Sequence, residues 1–85
     1  MAKLRHIAVV VKDLEKAAAF YEKALGIDPT LHDAHRSLGL LYARDLHDAV
    51  KAAAHLRRSL AIAPEQPGAE DLRRLLRELE RSGTR

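Results

Sequence analysis

Five histidines are the residues of this chain best suited to chemistry, and metal binding is the chemistry that they would support. His32 and His35 stand three apart on a predicted helix and can face each other. No His-Glu-x-x-His pattern accompanies them, so His32, His35, His47 and His55 are expected to be surface or interhelical residues. The chain also lacks a cysteine nucleophile, a Gly-x-Ser-x-Gly turn and a glycine-rich phosphate loop. His6 remains as the one candidate metal ligand.

Composition narrows the class of protein. With 85 residues the chain is expected to form one small domain with a modest core. Its net charge of +3 comes from acidic and basic residues mixed along every segment, and it has three aromatic residues, so a nucleic-acid partner is not expected. No apolar run is long enough to span a bilayer, which predicts a cytoplasmic protein without a membrane partner.

The N-terminal residues 3–11 permit two interpretations. Three consecutive valines, ending at Val11, favour a strand because branched side chains lose rotamer freedom in a helix. Apolar residues also recur on one helical face of this segment, so a helix remains possible. A strand here would have an unpaired edge, through which a homodimer could form.

The remaining chain has the spacing of amphipathic helices and predicts a mainly α fold of antiparallel helix hairpins. The helices are predicted at about 13–25, 31–44, 48–61 and 69–81. Asp13 is the predicted N-cap of the first helix, and Gly26 is its predicted left-handed C-cap, with Pro29 blocking continuation. The single domain 1–85 then divides into an N-terminal segment 1–12, a helical region 13–81 and a tail 82–85 that frays.

A motif recurs within the helical region. Ala-Leu-Gly-Ile-Asp-Pro29 returns loosely as Ser-Leu-Ala-Ile-Ala-Pro64, 35 residues later, and such periods mark helical repeats. Between the two prolines lie the packing residues Leu38, Gly39, Tyr42, Ala52, Ala53, Leu56 and Leu60. This set resembles the tetratricopeptide repeat over residues 17–79, with one residue inserted in the 45–48 turn. His35 and Ser59 depart from that pattern, which prefers a large aromatic residue and alanine.

The repeat resemblance implies a non-catalytic scaffold or adaptor that binds a protein or peptide partner. Its groove would lie along the first helix of the hairpin and would be formed by Asp33, Arg36, Leu40, Ala43 and Arg44. The two arginines would meet a carboxylate of the peptide. Versions of the family that clamp a C-terminal carboxylate use asparagine where this chain has Leu40, so that clamp is incomplete.

A second resemblance covers residues 3–27. The pattern His-Ile-Ala-x-x-Val-x-Asp-Leu-x-x-Ala-x-x-Phe-Tyr-x-x-x-Leu-Gly, which starts at His6, is similar to the first strand and helix of the glyoxalase, or vicinal-oxygen-chelate, superfamily. That resemblance implies one divalent metal ion bound by His6, with further ligands from later strands of paired βαβββ modules. After Ile27 no segment alternates with the period of a strand.

Three hypotheses therefore stand. The favoured one is a non-catalytic peptide-binding repeat module with no cofactor. The alternative is a fragment of a metal-dependent lyase, epimerase or dioxygenase of the glyoxalase type. The third is a recombined or designed chain without an evolved function, in which the sequence patterns of the two families overlap at residues 20–29.

Overall fold

The chain folds into consecutive α-helices joined by short turns. The computed structural model describes the backbone of residues 2–83 and the side chains of residues 13–81. The helices are α1 (Ala2–Ile27), α2 (His32–Arg44), α3 (Ala49–Ile62) and α4 (Ala69–Gly83), and residues 2–83 contain no strand. Each helix packs against the next along the chain. The predicted mainly α fold is confirmed. No helix in this described part is long and apolar enough to cross a membrane.

The N-terminal segment is helical, so the preference for a strand at residues 3–11 was wrong. Helix α1 begins at Ala2, and Asp13 lies inside it instead of capping its start. The described backbone offers no second strand to pair with the valines, whereas a helix satisfies their backbone groups internally by extending a helix already nucleated further along the chain. The strand edge expected to support a homodimer is consequently not formed.

The end of α1 also differs from the prediction. Gly26 has no left-handed φ, and the helix continues through it to Ile27. The chain turns at residues 28–30 instead, where the Asp28 carboxylate accepts bonds from the Thr30 hydroxyl at 2.6 Å and the Thr30 amide at 3.0 Å. Both hydrogen bonds lower the pKa of Asp28, and the bond from the Thr30 hydroxyl has the larger effect. The turn therefore depends on an Asp side chain and on Pro29.

Helices α2 and α3 form the tightest part of the core. Leu38 and Leu56 are fully buried, and a Cβ placed on Gly39 would lie only 2.7 Å from Leu56 Cδ2. Glycine therefore permits the close approach of the two helices. The other buried apolar residues are Ala18, Leu25, Ala34, Tyr42, Ala52, Ala53, Ala69 and Leu72. Leu31, the predicted first residue of the second helix, precedes α2 and is 40% exposed.

The turns on either side of α3 are held by side chains. Asp48, predicted near the start of this helix, is its N-cap and accepts a bond from the Lys51 amide at 3.0 Å. At the other end, the fully buried Ser59 hydroxyl donates to the His32 carbonyl at 2.9 Å. Gln66 donates to Ser59 Oγ and to the carbonyl of Ala63, which links the next turn to both helices. These hydrogen bonds satisfy the buried hydroxyl of Ser59, a group that alanine, the residue preferred in the repeat pattern, would not have.

Helix α4 begins after a left-handed glycine. Gly68 has a φ of 79°, and its carbonyl accepts the bond from the Leu72 amide that opens the helix. The helix then runs to Gly83, beyond the predicted end at 81. The predicted frayed tail 82–85 thus starts within helical backbone, and Thr84 and Arg85 lie outside the described residues.

Candidate functional site

A groove of about 340 Å³ lies between α2 and α4. Helix α2 contributes Arg36, Leu40 and Arg44, which recur at intervals of four residues and therefore share one face. The turn before α4 and the first part of α4 contribute Pro67, Gly68, Asp71, Leu72 and Leu75. The groove has an apolar floor of leucines with two arginines along its α2 wall.

The two arginines differ in how far they are already engaged. Arg36 donates to Asp33 at 3.2 Å and to Gln66 at 3.4 Å, so part of its guanidinium is occupied. Arg44 is exposed in the last turn of α2 and makes no ion pair with the side chains of residues 13–81. Arg44 is therefore the group with more donors free for an anionic ligand.

The opposite wall carries a negative charge. Asp71 lines the groove on α4 and lies 3.6 Å from Arg74, an exposed pair one helical turn apart. Such exposed pairs contribute about 0–1 kcal/mol, so Asp71 keeps most of its freedom to interact. The groove is thus positive on its α2 side and negative on its α4 side.

The structure brings together three of the five residues predicted for the groove. Arg36, Leu40 and Arg44 line it, whereas Asp33 is exposed beside Arg36 and His32. Ala43 is half-buried against the hydrophobic core and does not line the groove. The α4 wall was not predicted as part of this site, because its position depends on how α4 packs against α3.

A second cavity, of about 350 Å³, lies beside α1. Its carboxylates are Glu15, Glu22 and Asp48, and its apolar wall includes Ala18 and Leu46. The Tyr42 hydroxyl donates to Glu22 at 3.3 Å. Burial, followed by the negative charge of Glu22, raises the pKa of Tyr42. This tyrosine is therefore neutral and acts as a hydrogen-bond donor.

The four histidines within residues 13–81 lie in different parts of the fold, except for one pair in contact. His32 lies 3.1 Å from Asp33, while His35 on α2 meets His55 on α3, with their Nδ1 atoms 3.1 Å apart. His47 is an exposed turn residue with a left-handed φ of 53°. His6 falls in the backbone of α1, but its side chain lies outside the described residues.

The side chains of residues 13–81 do not by themselves supply a ligand set for the catalytic metal that the second resemblance implies. Among the side chains of residues 13–81, no three His, Asp or Glu groups converge as the ligands of one ion would. The closest histidine pair has its Nδ1 atoms directed at each other in a hydrogen bond, which removes those atoms as open ligands.

The fold and groove define the chain as a helical hairpin protein with a surface groove between α2 and α4. Comparison with known families adds a second, independent fact: the model of the Glyoxalase/Bleomycin resistance protein/Dioxygenase superfamily matches residues 3–85. The chain belongs to this superfamily. No curated protein and no solved structure matches the chain. The resemblance predicted for residues 3–27 is thus confirmed, and the family match extends beyond it into the helices α2 to α4.

Proposed function

We propose that this chain is a non-catalytic helical module, built on a tetratricopeptide-like hairpin, that binds a peptide segment of a partner protein in the α2–α4 groove. The observation that carries the proposal is the joint placement of Arg36, Leu40 and Arg44 in one groove opposite α4. The recurrence at 35 residues and the close contact of Gly39 with Leu56 support the repeat-like hairpin. Helix α4 would take the place of the capping helix in such arrays.

The charge of the groove indicates the kind of segment that it would accept. A carboxylate would bind at the α2 wall, first at Arg44, and a leucine-sized side chain would lie on Leu40, Leu72 and Leu75. Asp71 on the opposite wall would repel a second acidic residue and favour a basic one. The occupant is therefore an amphipathic segment with an acidic, an apolar and a basic side chain.

The carboxylate is assigned to an internal Asp or Glu of the partner. Capture of a C-terminal carboxylate in tetratricopeptide repeats needs asparagine side chains, and Leu40 stands at that position. Leu40 can contact an apolar side chain of the ligand, but it has no side-chain amide that could donate a hydrogen bond to a terminal carboxylate. Blocking the C-terminus of the peptide should therefore leave binding unchanged.

The proposal is tested with a panel of fluorescein-labelled, C-terminally amidated octapeptides that carry one Glu, two Leu and one Lys in all spacings on an alanine and glycine background. We expect at least one spacing to bind, and we expect Arg36→Ala/Arg44→Ala to weaken its affinity about tenfold or more, because charge-assisted hydrogen bonds contribute about 1.5–3 kcal/mol. Fluorescence anisotropy at two salt concentrations measures the affinity.

The control is Arg58→Ala/Arg77→Ala, which removes the same charge from exposed helix positions outside the groove. Equal losses in both double variants would show nonspecific attraction and would overturn the proposal, as would the absence of binding across the whole panel. Arg44→Ala alone should still cost severalfold and keeps the test valid if loss of the Arg36 contacts perturbs folding. A peptide with Gln in place of Glu should bind as weakly as the double variant does.

The family match favours a second candidate function, a fragment of a metal-dependent lyase, epimerase or dioxygenase. It rests on His6, the one residue at a ligand position of the family pattern. We expect His6→Ala to change the affinity for Ni²⁺, Zn²⁺, Mn²⁺ or Fe²⁺ by less than about twofold, because a single imidazole on its own binds these ions weakly.

Isothermal titration of each ion into the wild-type chain and the variant measures this difference. His47→Ala, which removes an exposed histidine, is the matched control. A selective loss of tenfold or more in His6→Ala would favour the metal enzyme over the peptide-binding module.

A further inference from the structure

The contact between His35 and His55 is the one place in the described core where two titratable rings share a hydrogen bond. His35 on α2 is buried, with 8% of its surface exposed, and His55 on α3 is half-buried. Their Nδ1 atoms are 3.1 Å apart, and His35 Nε2 lies 3.0 Å from the carbonyl oxygen of Pro29. The pair thus joins α2, α3 and the turn after α1.

The partners of His35 determine where the protons lie. A carbonyl oxygen can only accept, so His35 Nε2 must carry a hydrogen and donate it to Pro29. In a neutral ring its Nδ1 is then bare and accepts, which requires His55 Nδ1 to carry the hydrogen of the shared bond. His55 Nε2 is consequently the one nitrogen of the pair free to take a further proton.

The surroundings of His55 also disfavour the addition of a proton to its Nε2 atom. Burial is the main cause that lowers the pKa of His55; His35 adds to this effect, and Lys51 on the same helix adds less. Glu22 on α1 acts in the opposite direction. The Tyr42 ring stacks on His55 at 6.0 Å, and its hydroxyl is held by Glu22.

A second proton would be incompatible with the contact itself. It would have to enter on His35 Nδ1, where it would face the hydrogen on His55 Nδ1 across 3.1 Å, between two cationic rings. The closed pair therefore carries at most one positive charge. In the unfolded chain this contact is absent, so both rings can become positively charged.

We propose that the His35–His55 pair is a pH-sensitive latch between α2 and α3, closed while the two rings together carry at most one positive charge and opened when both rings are positively charged. Below about pH 6.5 the unfolded chain binds more protons than the folded chain, so stability falls as the pH falls. For each proton excluded by folding, the unfolding equilibrium constant rises up to tenfold per pH unit, or roughly 30-fold by pH 5.0.

The latch is tested by urea unfolding, followed by circular dichroism, at pH values from 7.5 to 5.0. His55→Gln is the informative variant, because a side-chain amide can donate to a bare His35 Nδ1 or accept from a protonated one. We expect it to remove the roughly 30-fold rise seen in the wild-type chain. His47→Asn is the control, since it removes an exposed histidine and Asn tolerates the left-handed φ; it should keep the wild-type dependence.

Nitrogen NMR of the histidine rings in the wild-type chain gives a second measurement that does not require a variant to fold. At pH 7.5 we expect hydrogen on His35 Nε2 and on His55 Nδ1. The latch is overturned if His35 carries its hydrogen on Nδ1, or if both rings become doubly protonated while the chain remains folded. It is likewise overturned if His55→Gln shows the same pH dependence as the wild-type chain.

Discussion

Leu56→Ala should destabilise the chain by about 2–5 kcal/mol, the cost of a deleted core leucine and the cavity that it leaves. Leu56 is fully buried in α3 and lies against Gly39 of α2. A domain of this size has a total stability of roughly 4–13 kcal/mol, so this one change removes a large part of it. The midpoint of thermal unfolding should fall by at least about 10 °C.

Val50→Ala is the matched control for this prediction. Val50 lies on the same helix, but 75% of its surface is exposed, so its truncation should change stability by no more than about 0.5 kcal/mol. Urea unfolding followed by circular dichroism measures both variants. Similar small effects from the two substitutions would mean that the α2–α3 contact is not the centre of the core.

Gly39→Ala is expected to destabilise the chain by up to about 2 kcal/mol, although alanine is normally the better helix residue. The new methyl group would lie 2.7 and 2.8 Å from two carbons of Leu56 and 3.3 Å from the Ala52 carbonyl oxygen. Overpacking of this kind costs about 1–3 kcal/mol, and the higher helix propensity of alanine offsets about 1 kcal/mol of it. Helices α2 and α3 would have to move apart.

Gly26→Ala provides the opposite outcome from the same substitution. Gly26 is also helical, but a Cβ there meets no atom within 4 Å, so the variant should gain about 0.5–1 kcal/mol.

In a Leu56→Ala background the clash at Gly39 is relieved, and Gly39→Ala should then cost little. A double-mutant cycle should give a coupling of about 1–3 kcal/mol; additive effects would contradict the proposed contact.

The family match and the fold describe different properties of this chain. The match to the superfamily covers residues 3–85, yet the described backbone of residues 2–83 is helical throughout its regular elements. The sequence pattern around His6 is similar to that of the first strand of the superfamily. A strand, however, needs a neighbouring strand with which its backbone can form hydrogen bonds. In this chain the residues after Ile27 supply helices instead, and α1 extends through the valines.

The sequence was sufficient for the start of α3 and for the core positions of α2 and α3. Asp48 has the side chain of an N-cap, and the structure uses it as one. The alternation of leucine and alanine at helical spacing placed Leu38, Ala52 and Leu56 in the core. These features were predictable because they depend on neighbours three or four residues away.

The candidate site could be predicted from the sequence only on one side. The spacing of four residues already placed Arg36, Leu40 and Arg44 on one face of α2. It could not show that Asp71, Leu72 and Leu75 form the opposite wall, because that wall depends on how α4 packs back across α3. Gln66 was missed for the same reason, since its partners Ser59 and Arg36 come from two other helices.

What the sequence by itself determined is the helical class and the inward face of each helix, since both follow from periodicity and capping within one segment. The conformation of residues 3–11 and the pairing of His35 with His55 were decided by tertiary structure. A strand at residues 3–11 and the histidine pair both require hydrogen-bond partners that are distant in sequence, and only the packed structure decides whether such partners are present. The same packing creates the groove and gives Gly39 its role.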